Sequence, residues 1–212
     1  MTVRLAPVLE IRRIDGFRAW PVAEARDRTG VALSGRLTPG EIGAVLASLA
    51  DGAAHGFLSR SRGDRVAAAA IGAVLERESL MLPGGIEVSD PGTGRTVVPG
   101  ESCDLEFWRD WSKALTGEEV WMGFAPSPWL ERRGERLRVW CDGGCGENVA
   151  ADDFVEFPAA LFPALLHAVH EDLRGFLRAA GEWADAVEPS LARALVLRLD
   201  RALRVSGPLE IG

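Results

Sequence analysis

The spacing of apolar residues predicts two helices in the first third of the chain. Residues 38–41, with the sequence TPGE, predict a helix start, because threonine can cap, proline fits the first turn and Glu41 can complete a capping box. We expect this helix to end near Leu49, before Asp51-Gly52. A second helix is predicted from a cap at Asp64 to about Ser79.

The middle of the chain predicts strands and one short helix. Residues 86–88 and 96–98, joined by a loop that contains Pro and Gly, predict a β-hairpin. Further strands are predicted at residues 120–124, 129–131, 137–141 and 154–157. In these segments either apolar and polar residues alternate or an apolar run lies between turn signals. Residues 104–115 predict an α-helix. At 100° per residue, one face of that helix carries Phe107, Trp108, Trp111, Ala114 and Leu115, so we expect its aromatic residues to lie in the core.

The C-terminal part predicts two further helices. Pro158 opens the longer one, which runs to about Val187, and the last covers residues 191–205. The apolar face of the longer helix carries Leu161, Phe162, Leu165, Leu166, Val169, Leu173, Phe176, Leu177, Ala180 and Trp183.

Together these patterns predict an α+β fold with a helical N-terminal third. A small antiparallel sheet from residues 86–157 packs against the helix 159–187. We expect one domain over residues 1–212, with Pro83-Gly84-Gly85 as the strongest candidate for an internal boundary.

Composition and charge narrow the class of protein. The 212 residues carry a formal net charge of −7, which disfavours nucleic acid as a partner and favours a basic one. Hydrophobic residues make up 47% of the chain, a value typical of globular proteins. We find no apolar run of membrane-spanning length and no signal peptide, so we expect a cytoplasmic protein that does not bind membranes.

Candidate metal and catalytic residues form incomplete sets. Cys141 and Cys145 are separated by three residues, and Cys103 is the only other cysteine. A closed site would also need a histidine, so we expect no bound metal. His167 and His170 lie on the long helix, where the pattern favours surface or packing roles. The glycines between the cysteines lack the context of a phosphate-binding loop, and we expect no cofactor.

The aromatic residues give the clearest candidate for a binding surface. Five of the seven tryptophans lie between Trp108 and Trp140, and the chain has no tyrosine. Trp140 shares a face of its strand with Arg136 and Arg138, and Trp129 follows a Pro-Ser-Pro loop, so we expect both side chains to be accessible. The alternative is that both rings cover the sheet under the long helix. The predicted binding residues are Trp129, Trp140, Glu131, Asp142 and Asp172. Asp172 flanks the apolar helix face, where we expect it to pair with an arginine from another element.

Two functional hypotheses remain open at the level of sequence. The first is a non-enzymatic protein-binding module that acts through an acidic surface carrying tryptophans. An antidote of the immunity-protein type, an adaptor and an accessory subunit all belong to this class. The second is an enzyme or small-molecule binder with a site assembled from distant segments around Trp121, Trp129 and Trp140.

Overall fold

A computed structural model describes residues 3–12, 16–24, 29–54, 66–142 and 153–209. The helices are α1 (Pro39–Ala54), α2 (Val66–Glu76), α3 (Phe162–Val187) and α4 (Pro189–Leu203), with 3₁₀-helices at Leu105–Leu115 and Ala159–Leu161. The strands are β1 (Arg4–Ile11), β2 (Thr29–Ala32), β3 (Gly84–Asp90), β4 (Arg95–Val97), β5 (Trp129–Arg133), β6 (Arg136–Trp140) and β7 (Phe154–Pro158). The predicted cap at Asp64 lies outside the described residues.

The chain forms two compact units, and the division between them falls inside β1 and inside α3. The first, here called the sheet unit, comprises Met1–Val8, Pro83–Asp172 and Pro208–Gly212. The second, here called the helical unit, comprises Leu9–Leu82 and Leu173–Gly207.

In the sheet unit, β3 and β4 form the predicted antiparallel hairpin. Val88 lies opposite Val97, and Asp90 lies opposite Arg95. The Asp90 carboxylate is 3% exposed and accepts hydrogen bonds from the Gly92 amide (2.9 Å) and the Thr93 hydroxyl (3.0 Å). These bonds close the turn, because an aspartate side chain can bond to the backbone two residues further on. β1 lies beside β3 in the same sheet.

A second antiparallel sheet of the sheet unit has the order β5-β6-β7. The buried residues of its inner face are Leu130, Leu137, Val139, Val155 and Phe157. Arg132, which lies opposite Leu137 on the same face, is exposed at the edge of the sheet. The Phe162 ring at the start of α3 stacks on Phe157, with ring centroids 6.2 Å apart. The predicted α+β class, with small antiparallel sheets and a C-terminal helix packed against the sheet, is therefore confirmed.

The long C-terminal helix buries the predicted face except at Leu161, which is exposed, and Leu165, which is half-buried. Phe162, Leu166 and Val169 are fully buried, as the helical spacing requires. Leu161 is 46% exposed, so its assignment to the buried face is wrong. It belongs to the 3₁₀ turn Ala159–Leu161, which precedes α3 and has a different number of residues per turn.

Residues 105–115 form a 3₁₀-helix and not the predicted α-helix. Its buried residues are Leu105, Trp108, Trp111 and Ala114, which recur at every third position. This spacing matches three residues per turn, whereas an α-helix would have buried Phe107 together with Trp111. Phe107 is 43% exposed, so the prediction that it belongs to the core is wrong.

The segment 120–124 is not the predicted strand. It makes only an isolated bridge, in which Glu101 and Phe124 exchange hydrogen bonds of 2.6 and 3.0 Å. Extended pairing stops there because Gly123 (φ 91°) and Ala125 (φ 54°) adopt left-handed backbone conformations. The turn leaves Trp121 and Phe124 exposed.

In the helical unit, the Thr38–Glu41 capping box is confirmed. The Thr38 amide donates to the Glu41 carboxylate (2.7 Å), and the Glu41 amide donates to the Thr38 hydroxyl (3.3 Å). The Thr38 hydroxyl also donates to the Glu41 carboxylate (2.7 Å), and the two bonds that this carboxylate accepts from Thr38 lower the pKa of Glu41. The helix continues to Ala54, so the prediction that Asp51-Gly52 ends it is wrong. Packing of α1 against α2 outweighs the weak helix propensity of this pair.

An aromatic cluster forms part of the core of the helical unit. The Trp20 indole donates to the Gly43 carbonyl (2.8 Å), and its ring meets Trp183 of α3 edge to face at 5.0 Å.

The α2 helix packs against α4, and the Arg198 guanidinium donates to the carbonyls of Arg77 and Glu78 just beyond α2. The α2 helix ends at Glu76, three residues before the predicted end at Ser79.

Candidate functional site

Trp129 and Trp140 lie directly opposite each other on β5 and β6. They share the outer face of the sheet, because residues that pair across antiparallel strands project to the same side. Trp129 is 44% exposed and Trp140 is half-buried. The predicted accessibility of Trp129 therefore agrees with the structure, although Trp129 begins a strand and is not part of a loop.

The rest of the outer face follows from the same register. Trp129, Trp140 and Phe154 form one row across the three strands, and Glu131, Arg138 and Glu156 form the next. The third row consists of Arg133, Arg136 and Pro158. We call these nine residues the tryptophan face.

Contacts with neighbouring side chains fix the orientation of Trp140. Its indole N–H donates to Glu131 Oε1 (3.2 Å), and its ring meets Phe154 edge to face at 4.8 Å. The Arg138 guanidinium lies 5.2 Å from the centroid of the same ring, within the range of a cation–π contact. Trp140 is therefore held in one position on the sheet.

Glu156 joins two arginines of β6. Arg136 Nε donates to Glu156 Oε1, and Arg138 donates to Oε2 through Nε (3.0 Å) and Nη2 (2.8 Å). Burial alone would raise the pKa of Glu156, but the hydrogen bonds and charges of Arg138 and Arg136 lower it below its usual value. Arg138 also stacks over Phe154 at 3.9 Å, so this guanidinium is committed to contacts within the sheet.

Four of the five predicted binding residues come together at one end of the sheet, and Asp172 does not join them. Asp142 follows Trp140, and its carboxylate accepts from the Ser127 amide (3.3 Å), just before Trp129. Asp172 lies on α3 and pairs with Arg4 of β1 (3.8 Å). The expected ion pair of Asp172 with an arginine from another element is therefore confirmed.

The predicted binding residues did not include Phe154 and Glu156, which also belong to this site. A signal for them was present in β7, where Phe154 and Glu156 alternate with the buried Val155 and Phe157. Alternation shows which residues share a face of one strand, but only the register shows which residues of other strands lie beside them.

The segment around Trp121 holds a second exposed aromatic group. Trp121 is 54% exposed and Phe124 is 46% exposed. The Trp121 indole donates to the Ser102 carbonyl at 3.5 Å, so its contact is with the Glu101–Phe124 bridge region. The predicted site that combines Trp121 with Trp129 and Trp140 stays a prediction.

The two described cysteines are poor nucleophiles at neutral pH. Burial raises the pKa of Cys103 to about 11, with a further contribution from the Asp104 charge. Burial, followed by a hydrogen bond with Asp153 and the charge of that residue, raises the pKa of Cys141 to about 12. Since the thiolate is the reactive form, neither group supplies nucleophilic chemistry in its present environment.

The remaining candidate ligands do not converge within the described part of the chain. His167 is exposed, and His170 stacks on Trp108 with centroids 5.5 Å apart. Among the described residues, no three His, Cys, Asp or Glu side chains are arranged to hold a metal ion. Cys145 lies outside those residues.

No family model, curated protein or solved structure matches this chain. In the described ranges, none of the helices has both the length and the apolar character needed to cross a membrane. The tryptophan face is therefore the feature from which we infer a function.

Proposed function

We propose that this chain is a non-enzymatic protein-binding module whose binding surface is the tryptophan face. The observation that carries the proposal is the pairing of Trp129, 44% exposed, with Trp140 on an ordered sheet. Tryptophan and arginine are the residues most enriched among those that dominate binding energy at protein interfaces. Both occur here on one surface.

The sheet supports binding because its surface is already ordered. The apolar residues on the inner side of the three strands are buried, and on the outer side Glu131, Arg138 and Phe154 hold Trp140 in place. A partner that docks here pays little to immobilise these side chains, since they are fixed before contact. The raised pKa values of Cys103 and Cys141 give no comparable support to thiol-based catalysis.

The test compares proteins captured from cell extract by the full chain and two variants. Trp129→Ala removes the proposed anchor, and Phe107→Ala removes an aromatic side chain of similar exposure (43%) from the 3₁₀-helix. We expect a specific protein to be retained by the wild type and by Phe107→Ala and lost with Trp129→Ala. Titration of the purified partner should show a loss of about 2–4 kcal/mol of binding free energy. Equal affinity for Trp129→Ala would refute the proposal.

A further inference from the structure

Arg133 and Arg136 lie directly opposite each other at the hairpin end of β5 and β6. Like charges that face each other across two strands destabilise the pair. This cost falls when an anion binds between the two guanidinium groups, so the pair is suited to an anionic ligand.

Each of the two arginines forms an ion pair with a glutamate, and in each pair the glutamate side chain is less exposed than the arginine side chain. Arg133 Nε donates to Glu131 (2.6 Å), and Arg136 Nε donates to Glu156. The Arg133 and Arg136 side chains are 57% and 42% exposed, whereas the Glu131 and Glu156 side chains are 15% and 21% exposed. A partner therefore meets guanidinium groups first, and the carboxylates lie behind them.

The anchoring contacts leave donors for a ligand. Both bonds use Nε, and an arginine has further N–H groups on its two terminal nitrogens. Among the described residues, Arg133 and Arg136 have no other hydrogen-bond acceptor. The Nε contacts restrict the side chains, so a carboxylate that binds the terminal nitrogens loses less entropy than it would with a mobile arginine.

The local charge of the tryptophan face differs in sign from that of the whole chain. The face carries three arginines and two glutamates, a balance of +1, on a chain of net charge −7. At physiological ionic strength, charges separated by more than about 8 Å are largely screened. The arginines and glutamates of the face therefore determine the charge of the group that binds there. The net charge of the whole chain favours a basic partner only at long range.

We propose that Arg133 and Arg136 form a carboxylate clamp for an acidic segment of a partner protein, with Trp129 as the contact for an apolar side chain of that segment. This inference rests on the proposed binding function. Trp129 and Arg133 are four residues apart on β5, a distance of about 13 Å at 3.3 Å per residue. An extended segment with an apolar and an acidic residue four positions apart spans both contacts.

Nucleic acid is the less favoured anionic partner. A phosphate backbone presents a continuous row of charges, and most of this acidic chain would repel it. The clamp contains two exposed arginines, which suits one isolated carboxylate better than a repeating polyanion.

The test is fluorescence anisotropy with the full chain and labelled peptides of about ten residues. One peptide carries phenylalanine with glutamate four positions later, and two others carry glutamine or lysine in place of the glutamate. We expect the glutamate peptide to bind, the other two to bind at least about tenfold more weakly, and salt to weaken binding of the glutamate peptide. Absence of binding at about 1 mM, or preference for the lysine peptide, would overturn the inference.

Variants of the chain test the clamp itself. Arg133→Gln with Arg136→Gln should weaken binding of the glutamate peptide at least about tenfold. Arg193→Gln, which removes an exposed arginine of α4, should leave binding unchanged. Arg133→Lys with Arg136→Lys keeps the charge but removes the planar guanidinium groups, which can form two hydrogen bonds to one carboxylate. We expect this variant to lose less affinity for the glutamate peptide than the glutamine variant does. Thermal unfolding of each variant checks that it is folded, and the lysine variant supplies the test if the glutamine variant does not fold.

The outcomes separate this inference from the proposed function. If Trp129→Ala abolishes partner binding while both double variants bind normally, the protein-binding proposal stands and the clamp is wrong. If a single-stranded oligonucleotide displaces the glutamate peptide and binds more tightly, the site recognises phosphate and the acidic-protein inference is overturned. If inorganic phosphate alone binds and the peptide does not, the inference is overturned as well.

Discussion

Phe107 and Trp108 are neighbours in the chain, yet Phe107 is 43% exposed and Trp108 is 1% exposed. The difference comes from the 3₁₀ pitch of Leu105–Leu115, which turns every third side chain toward the core. A 3₁₀-helix of this length is uncommon, because its hydrogen-bond geometry is poorer than that of an α-helix. Tertiary packing of its two tryptophans therefore contributes to its stability.

Alanine substitutions at a buried and at an exposed residue of the 3₁₀-helix should distinguish 3₁₀ from α-helical pitch. Trp111 is 3% exposed, and we expect Trp111→Ala to lower the free energy of unfolding by about 3–5 kcal/mol, through lost burial and the cavity that remains. Phe107→Ala should change it by less than about 0.5 kcal/mol. Denaturant titration measures both. Similar losses for the two variants would mean that the helix has α-helical and not 3₁₀ pitch.

The stability of the chain should depend on pH through Glu87 of β3. Burial raises the pKa of Glu87, and the positive charge of Arg4 only partly opposes the shift. Because the pKa of this carboxyl group is higher in the folded protein than in the unfolded chain, folding favours its protonated form. The stability that results is fully present below the ordinary carboxyl pKa and is lost as the pH rises through the folded-state pKa. We expect Glu87→Gln to stabilise the protein at about pH 7 and to have little effect at about pH 4. Thermal unfolding across this range checks the sign, and a stabilisation largest at acidic pH would contradict it.

Loss of the capping box should destabilise α1. Thr38→Ala removes the hydroxyl that accepts from the Glu41 amide, at an expected cost of about 1 kcal/mol. Thr38→Ser keeps the hydroxyl and serves as the matched control. Chemical denaturation followed by circular dichroism compares the two, and equal midpoints for Thr38→Ala and wild type would show that the cap is energetically neutral.

Two glycine substitutions should have opposite effects. A Cβ atom at Gly100 would clash with the Pro126 carbonyl oxygen, so Gly100→Ala should destabilise the Glu101–Phe124 bridge. A Cβ atom at Gly72 in α2 has open space around it, so Gly72→Ala should stabilise the helix by about 0.5–1 kcal/mol. Unfolding midpoints test both, and a neutral Gly100→Ala would mean that this bridge adjusts freely.

Fluorescence quenching should distinguish the exposed tryptophans from the core ones. We expect Trp129→Phe to remove part of the emission that iodide quenches, because this side chain is 44% exposed. Trp108→Phe should leave the accessible component unchanged, since Trp108 is 1% exposed. An unchanged quenching curve for Trp129→Phe would place that ring in the interior, and the tryptophan face would no longer qualify as a binding surface.

Local patterns in the sequence determined much of the secondary structure. The capping box at residues 38–41 and the hairpin of residues 84–97 depend on residues close together in the chain, so they could be predicted from residue types. Strand alternation likewise determined that Trp140 shares a face with Arg136 and Arg138. For the candidate site, the sequence supplied the outward position of Trp129 and the expected arginine partner of Asp172.

Only the tertiary structure decided the pitch of Leu105–Leu115 and the register of β7 against β6. Over eleven residues, apolar spacing fits both 3.0 and 3.6 residues per turn, and packing of the two tryptophans selects between them. Strand alternation fixes a face but not which residues meet across strands. The pairing of β7 with β6 places Phe154 beside Trp140 and Glu156 beside Arg138, and it joins segments that residues 141–153 separate, so no local pattern determines it. By contrast, the two-residue turn between Arg133 and Arg136 sets the register of β5 and β6.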